Sequence, residues 1–220
     1  MDWTAIGLSL RLAACTTLVL FLLGLPLAYW LTVSKRRWKF LIEALVALPL
    51  VLPPTVLGFY ILMALGPLSP VGRFYEKMVG RGLAFSFQGL LVASILYSLP
   101  FTIRPFITGF AGVDRRLIEA SWCLGESRLG TFCRIVLPLS WPGLLTGIIL
   151  SFAHTLGEFG VVYMVGGNIP GETRTVSISI YDDFQAMHYA EAGQTALFLL
   201  AVSFLALSLT YALQRKVWIV

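Results

Sequence analysis

The stretch EASWCLGESRLGTFCRIVLPLS (119–140) is a polar, glycine-broken segment in a chain that is otherwise strongly apolar. Asp114 can cap a helix over 115–124, a run of good helix formers. Gly125 is a natural helix terminus, and a second helical run over 126–135 leads to the prolines of LPLSWP, which are expected to end it. The segment predicts two short helices joined at Gly125.

The rest of the chain has the composition of a membrane protein. Of its 220 residues 58% are hydrophobic and 12% charged, whereas a soluble domain is about a quarter charged. Apolar stretches of about 20 residues or more, each long enough for roughly 30 Å of hydrocarbon, cover about 6–33, 40–66, 85–107, 143–165 and 194–213. The sequence predicts an all-α polytopic membrane protein, a single transmembrane domain over 1–220 with about five spans. The first stretch lacks a basic region and a cleavage site, so it is expected to be a retained span.

The positive charges predict the orientation. Ten of the sixteen Lys and Arg residues lie in 34–39, in 108–142 and at Arg215 and Lys216, regions that alternate onto one side of the membrane. The other side carries four positive charges against six acids. The positive-inside rule puts the N-terminus outside and the C-terminus in the cytoplasm, so 119–140 faces the cytosol. The net charge of +5 thus reports orientation, and no nucleic-acid partner is expected.

The second apolar stretch is irregular. It contains LPLVLPPTVLG (48–58), with three prolines that each remove a backbone donor. In lipid the freed carbonyl groups need partners from protein or water. Two interpretations stay open, a span that lines a cavity and a kink that serves packing. On the first interpretation Pro53, Pro54 and Thr55 are candidates for a pathway or gate.

An acidic residue interrupts the fourth apolar stretch. Glu158 lies in SFAHTLGEFGVVYMV (151–165), where burying an acid costs on the order of 2.5–3.5 kcal/mol. His154 is one turn earlier on the same predicted helical face. A structural hydrogen-bonded pair, a pathway or gate element, and a proton relay or metal site all remain open, although one His and one Glu are too few for a catalytic metal. Ser151, Thr155 and Glu158 are the pathway candidates here. Arg11, near the outer end of the first span, is expected to snorkel to the interface.

The residues of 119–140 leave two functions open. Ala120, Ser121 and Gly125 are small and would let another backbone approach closely. The segment could be an amphipathic hairpin that rests on lipid headgroups, or a docking element for a cytosolic partner.

A family resemblance favours docking. The segment resembles the EAA loop of ABC-importer permeases, which is E-A-A, three residues, G, nine residues and I-x-L-P. The matching residues are Glu119, Ala120, Gly125, Ile135, Leu137 and Pro138. Ser121 stands where the family usually has Ala. In that family the loop, here about 112–142, forms the cytoplasmic coupling helices that sit in a cleft of the ATP-binding subunit. The resemblance implies the transmembrane domain fold of a type I ABC importer.

Two further stretches resemble molybdate permease subunits in particular. They are LPLVLPPTVLGFYIL (48–62) and LGEFGVVYMVGGNIPGETRTVSISIY (156–181), with NIPGETRT (168–175) the most similar to molybdate permeases. The resemblance implies a permease subunit of an importer for molybdate in a prokaryotic cytoplasmic membrane. A permease of the same type for tungstate or sulfate is the alternative.

The resemblance also implies the partners. They are a second copy of this chain, two cytoplasmic ATPase subunits that bind ATP and Mg, and an extracytoplasmic molybdate-binding protein that meets 67–84 and 166–193. Membrane lipid surrounds the spans.

Several functions find no support in the sequence. It has no G-x-x-x-x-G-K-[ST] loop, so ATP hydrolysis needs a separate chain and no cofactor is expected here. It has no serine–histidine motif or metal cluster, so enzymatic activity is not expected. Cys15, Cys123 and Cys133 have the spacing of neither a disulfide framework nor a zinc site. An ion-coupled transporter that uses His154 and Glu158 as a relay would not need the EAA spacing.

Overall fold

A computed structural model describes the backbone of residues 1–217 and the side chains of residues 1–212. The side chains of Arg215 and Lys216, used above for orientation, lie outside this range. The described residues are helical and contain no strand. The first helices are α1 (Trp3–Val33), α2 (Lys39–Val51), α3 (Pro54–Leu65), α4 (Pro70–Val79), α5 (Phe87–Ala111) and α6 (Arg115–Cys123). They are followed by α7 (Arg128–Thr131), a π-helical turn (Phe132–Val136), α8 (Leu137–Leu139), α9 (Trp141–Gly157), α10 (Gly160–Gly166), α11 (Val176–Gln185) and α12 (Tyr189–Val217).

The helices confirm the all-α membrane fold with about five spans. α1, α5 and α12 are each long and apolar enough to cross a membrane. Two bent pairs complete the set: α2 with α3, bent by 115°, and Arg128–Leu139 with α9, bent by 67°. Counting each pair once gives five candidate spans among the described residues. The predicted fourth span over 143–165 is not one helix, because it is divided between α9 and α10.

Consecutive prolines break the second span. Leu52 and Pro53 are both extended, with ψ of 137° and 136°. A proline disfavours the helical conformation of the residue before it, so Pro53 acts on Leu52 and Pro54 acts on Pro53. Pro49 has no adjacent proline, and α2 continues through it. The proline pair therefore sets the position of the break.

The broken span still joins the two ends of the molecule. At the end where α6 follows α5, called here the α6 end, Val46 of α2 packs in a core cluster with Phe110 and Val136. At the opposite end, called the α11 end, Ile61 of α3 packs in a second cluster with Val165. The chain thus passes from the α6 end to the α11 end through the pair, as a span would.

α5 and α9 cross in backbone contact. A Cβ atom on Gly143 would lie 2.6 Å from the Cα atom of Gly109 and 2.8 Å from the carbonyl oxygen of Pro105. One on Gly147 would lie 2.6 Å from the ring of Phe106. Small residues at such crossings let membrane helices approach closely, since dispersion between packed backbones stabilises their association. The crossing joins the base of α9 directly to α5.

α12 is packed less tightly than the other long helices. In its most apolar 18-residue window 11% of the residues are buried, against 44% in α1 and in α5. The exposed side chains include Leu197, Leu200, Phe204 and Leu205. Most of this helix is therefore available to lipid or to another chain.

Candidate functional site

The segment between α5 and α9 forms a helix–turn–helix at the α6 end. Asp114 caps α6, its carboxylate accepting a 2.8 Å hydrogen bond from the N–H of Arg116. Gly125 follows α6 with φ of +84°, a left-handed conformation that glycine adopts without strain. Its N–H donates to the carbonyl of Trp122, and the N–H of Glu126 donates to that of Ser121. This is the Schellman motif, which satisfies the last carbonyl groups of a helix and reverses the chain.

The second helix differs from the predicted 126–135. It begins at Arg128, because the Ser127 hydroxyl caps it by accepting from the N–H of Gly130 at 3.0 Å. It also runs beyond Pro138, which was expected to end it. Before Pro138 the helix widens to a π-helical turn, in which the N–H of Leu137 donates to the carbonyl of Phe132 five residues back. A wider turn relieves the clash of a proline ring with the carbonyl four residues earlier.

The two short helices are locked to each other. The hydroxyls of Ser121 and Thr131 are 2.9 Å apart, and both residues are buried. On the surface, Arg134 donates to the Glu126 carboxylate at 2.9 Å. Ser121 occupies the position that is usually Ala in EAA loops, and an alanine there could not bond to Thr131. The serine therefore adds a contact that holds the turn in one geometry.

The base of the loop is part of the protein core. The ring of Phe132 lies 4.7 Å from that of Tyr29 in α1 and 6.1 Å from that of Phe110 in α5. Val136 is buried in the same cluster, and Leu137 packs against it. A displacement of the loop would therefore act on α1 and α5 as well as on α9.

The tip of the loop is apolar and uncovered within this chain. Leu124 at the turn is 89% exposed and Leu129 in α7 is 74% exposed, and Leu117 and Trp122 are also exposed. Of the predicted coupling residues, Glu119, Ala120, Gly125 and Pro138 are exposed, Ile135 and Leu137 are half-buried, and Ser121 is buried. The loop thus combines an anchored base, a locked turn and an apolar tip.

The expectation that His154 and Glu158 share a helical face is wrong, so of the three open interpretations the hydrogen-bonded pair finds no support. α9 ends at Gly157, and Glu158 is extended with ψ of 137°, so the two side chains do not share a helical face. His154 Nδ1 instead lies 3.0 Å from the Ser98 hydroxyl, and its ring stacks on Phe101 at 3.9 Å. The failure has a backbone cause, since the i, i+4 relation requires an uninterrupted helix.

Glu158 is buried beside α5. It is 5% exposed, and the Ser94 hydroxyl faces its carboxyl group. Neither carboxyl oxygen, nor Ser94, has a hydrogen bond of standard geometry within the described part of the chain. A buried acid without such partners costs free energy unless a water molecule or another chain completes its hydrogen bonds.

The two helix breaks lie side by side. A Cβ atom on Gly160, two residues after Glu158, would lie 2.7 Å from the Cβ atom of Pro54. One on Gly58 would lie 2.8 Å from the Cβ atom of Met164. Thus the start of α3 packs on the start of α10, and the proline-rich stretch and the Glu158 stretch, predicted separately, form one discontinuous region.

The remaining pathway candidates divide into two sets. Thr155 is buried and hydrogen-bonded to Ser98 at 2.9 Å, and Ser151 donates to the carbonyl of Ile148 in its own helix. Pro53 and Thr55, by contrast, are exposed at the surface of this chain. Exposure therefore separates Pro53 and Thr55 from the hydroxyl groups of Ser151 and Thr155, which are buried.

One charged residue inside a span was missed by the sequence reasoning. Arg104 of α5 lines a cavity of about 380 Å³ between α1, α2 and α5, together with Glu43, Ala47 and Thr108. It has no ion pair among the described side chains. The signal was available in the sequence, because an arginine within an apolar stretch is a candidate functional residue.

Comparison with known proteins gives the family. Residues 21–219 match the family model described as "Binding-protein-dependent transport system inner membrane component". The "Molybdenum transport system permease protein ModB" of Azotobacter vinelandii is 47% identical, over 97% of this chain and 95% of that protein. The "Probable sulfate transport system permease protein cysT" of Prototheca wickerhamii is 34% identical, over 93% of this chain and 80% of that protein.

The fold agrees with this match. The crystal structure of a bacterial ABC transporter involved in the import of the acidic polysaccharide alginate superimposes with a TM-score of 0.77. The match covers 97% of this chain and 78% of that one at 17% sequence identity. At that identity the likeness concerns the fold alone. By its sequence, this chain belongs to the family of inner-membrane components of binding-protein-dependent transport systems.

Proposed function

We propose that the chain is the permease subunit of an ATP-driven importer that moves molybdate across the cytoplasmic membrane. The observation that carries the proposal is the helix–turn–helix of 112–142. It presents an apolar tip, with Leu124 and Leu129 the most exposed, on a turn locked by the Ser121–Thr131 hydrogen bond. The Azotobacter relative, named for molybdenum transport, supports the substrate.

In this proposal a separate ATPase subunit binds ATP and Mg and receives the tip of the loop. Apolar side chains on a protruding helical turn suit a cleft in a partner, where their removal from water stabilises the contact. Because the base of the loop packs in the core through Phe132 and Val136, a movement of the ATPase reaches α1, α5 and α9. The loop would thus couple ATP hydrolysis to a change in the tilt of the spans.

We also propose the assembly and its orientation. Two copies of this chain pair around the pathway, two ATPase subunits lie below them, and an extracytoplasmic binding protein delivers the ion to 67–84 and 166–193. The uncovered apolar face of α12 is available to the second copy or to lipid. The excess of Lys and Arg in 34–39 and 108–142 supports a cytoplasmic α6 end and an external N-terminus.

The substrate has two rivals. Tungstate has nearly the same size and charge as molybdate, so a site that takes one oxyanion is expected to take the other. Sulfate is the second alternative, and the Prototheca relative named for sulfate transport favours it. Molybdate is preferred because the relative named for molybdenum is 47% identical and the one named for sulfate is 34% identical.

The decisive experiment is ATP hydrolysis by the reconstituted complex. The permease would be co-purified with the ATPase and the binding protein encoded beside it, and the binding protein would be loaded with molybdate, tungstate or sulfate. We expect molybdate and tungstate to stimulate hydrolysis and sulfate not to. Stimulation by sulfate alone would overturn the substrate, and failure of any ATPase to co-purify would overturn the role in an importer.

A charge reversal tests the loop as the ATPase contact. Glu119 is exposed, and among the described side chains it pairs with Arg115 alone, which is also exposed; such surface pairs contribute about 1 kcal/mol or less. Glu119→Lys should therefore leave the chain folded in the membrane but release the ATPase. Glu76→Lys is the matched control, since Glu76 is an exposed acid on α4, away from the loop. Equal ATPase retention in the two variants would argue against docking through α6.

A further inference from the structure

A second pocket lies at the α11 end, far from the loop. It has a volume of about 420 Å³, and one wall is a single face of α1 that carries Thr4 and Arg11. Arg81 precedes α5, Phe87 and Gln88 begin it, and Glu172 lies between α10 and α11. Three separate regions of the chain therefore converge on one cavity.

The pocket collects positive charge that the protein does not neutralise. Arg11 and Arg81 both line it, and neither forms an ion pair among the described side chains. Glu172 supplies the single acidic side chain of the lining, so the pocket carries an excess of one positive charge. Two guanidinium groups that outnumber the acidic side chain favour the binding of an anion in the pocket.

The Arg11 side chain is held in place. Its guanidinium group lies 4.6 Å from the centroid of the Phe87 ring, in a cation–π contact. That contact fixes the charge at the pocket and leaves the guanidinium N–H groups free to donate. Arg11 is exposed, so its snorkelling to the interface stays a prediction, and the Phe87 ring is a further contact within the protein.

Gln88 adds an unused amide. Its Oε1 atom is buried and has no hydrogen-bond partner in the described part of the chain. An amide oxygen accepts hydrogen bonds, so a donor such as water, and not an anion, would satisfy this atom. The Nε2 group of the same amide is a donor, so the donors of the lining are two guanidinium groups, this amide NH2 group and the Thr4 hydroxyl.

The floor of the pocket is apolar. Leu8 and Phe87 belong to its lining and pack on a core cluster that includes Leu12, Leu90 and Val162. The polar groups of the lining therefore stand above a packed apolar base.

We propose that this pocket binds a tetrahedral oxyanion group through Arg11 and Arg81, with Gln88 as a further donor and Glu172 as an opposing charge. The group can belong to a free oxyanion or to the phosphate of an anionic lipid, since both present several negatively charged oxygens to arginine. The site does not depend on which ion the importer carries.

The test uses the permease–ATPase complex without a binding protein. In nanodiscs of phosphatidylcholine alone, equilibrium dialysis measures the binding of radiolabelled molybdate. In nanodiscs that also contain phosphatidylglycerol, native mass spectrometry counts the phosphatidylglycerol molecules that each chain retains. Binding in the first arm identifies a free oxyanion site, and retention in the second identifies a lipid phosphate site.

Substitution of an arginine and substitution of Glu172 should change the binding affinity in opposite directions. Arg81→Gln should weaken binding roughly tenfold or more, as expected for the loss of a charge-assisted hydrogen bond. Glu172→Gln should strengthen it by up to about fivefold, because it removes an exposed like charge. Arg11→Gln should act as Arg81→Gln does, and if the loss of its Phe87 contact prevents assembly, Arg81 alone carries the test.

Arg73→Gln is the matched control, because Arg73 is an exposed arginine on α4 that does not line the pocket. It should leave both readouts unchanged. Molybdate binding and lipid retention that are the same in wild type, Arg81→Gln and Glu172→Gln would overturn the proposal. Since neither readout requires ATP hydrolysis, that result would leave the proposed import function standing.

Discussion

Replacing Ser121 by Ala should loosen the loop even though alanine is the usual residue there in EAA loops. Ser121 and Thr131 are both buried, and their hydroxyls are 2.9 Å apart. Ser121→Ala removes one partner and leaves the Thr131 hydroxyl buried and unpaired, at a cost of about 1–3 kcal/mol. The free energy of local opening of α6 and α7 should fall by that amount.

The matching double substitution should recover most of the loss. Replacing Thr131 by Val alone leaves the Ser121 hydroxyl unpaired, so it should also cost about 1–3 kcal/mol. Ser121→Ala combined with Thr131→Val replaces both hydroxyls by apolar groups of similar shape, which is close to neutral. Because the double variant is close to neutral, the magnitude of the coupling energy of the cycle should equal the sum of the two single costs, about 2–6 kcal/mol.

Hydrogen exchange of the intact complex in nanodiscs measures this cycle. Each single variant should raise the exchange rate of amides within 115–131 by roughly 5- to 150-fold, the equivalent of about 1–3 kcal/mol. The double variant should return toward the wild-type rate. Amides of α1 serve as the internal control, since they lie outside the loop. Additive single effects in the double variant would refute the argument, because the two hydroxyls would then be energetically independent.

Three further substitutions test the packing, the turn and the buried acid. Gly143→Ala places a Cβ atom against α5, which should cost about 1–3 kcal/mol and lower the melting temperature of the complex by several degrees. Gly193→Ala in α12 is the control, because nothing lies within 4 Å of its Cβ position, and it should leave the melting temperature unchanged. Gly125→Ala gives an L side chain to a residue with φ of +84°, which causes backbone strain of about 1–2 kcal/mol but no clash, since the space is open. The rate of hydrogen exchange in the loop should rise, and the melting temperature of the spans should stay constant. Glu158→Gln replaces a buried acid by a neutral amide, so the melting temperature should stay the same or rise while molybdate uptake by proteoliposomes falls. A melting temperature lower by several degrees would instead indicate a structural role.

The sequence was sufficient for the spans and the loop because both depend on local composition. An apolar run long enough to cross the hydrocarbon core reports a span whatever its neighbours are, and four of the five runs correspond to candidate spans, while the run over 143–165 overlaps its candidate only in α9. The helix–turn–helix was predicted from Asp114 and Gly125, whose cap and left-handed turn are local properties. The bounds of its second helix were wrong, because they depend on how the chain accommodates Pro138 after the π-helical turn.

The environment of Glu158 could not be predicted, because hydropathy does not report backbone angles. The run over 143–165 is continuous in apolar character, yet the chain is extended at Glu158 and separates α9 from α10. Whether His154 faces Glu158 depends on that break and not on the four-residue spacing. The Ser98 hydroxyl, which bonds to His154, comes from α5, 56 residues away, so no local pattern could have shown it.

The positions of the prolines explain why the second span breaks while the first and third continue. Pro26 in α1 and Pro100 and Pro105 in α5 are single prolines, and both helices continue through them. Only at Leu52–Pro54 do two successive residues precede a proline, and there the chain turns by 115°. In lipid the carbonyl groups freed at such a break need partners within the protein or in water.

The second break supplies a reason for the position of the first. The start of α10 packs against Pro54, and Gly160 and Gly58 make that close approach possible, since a Cβ atom at either would lie within 2.8 Å of α3 or α10 atoms. Two breaks in contact can change their angles together, whereas one break between rigid helices would be held by its neighbours. A region that has to change shape during transport is therefore expected where the two broken spans meet. Pro53 and Thr55 are the exposed pathway candidates of this region.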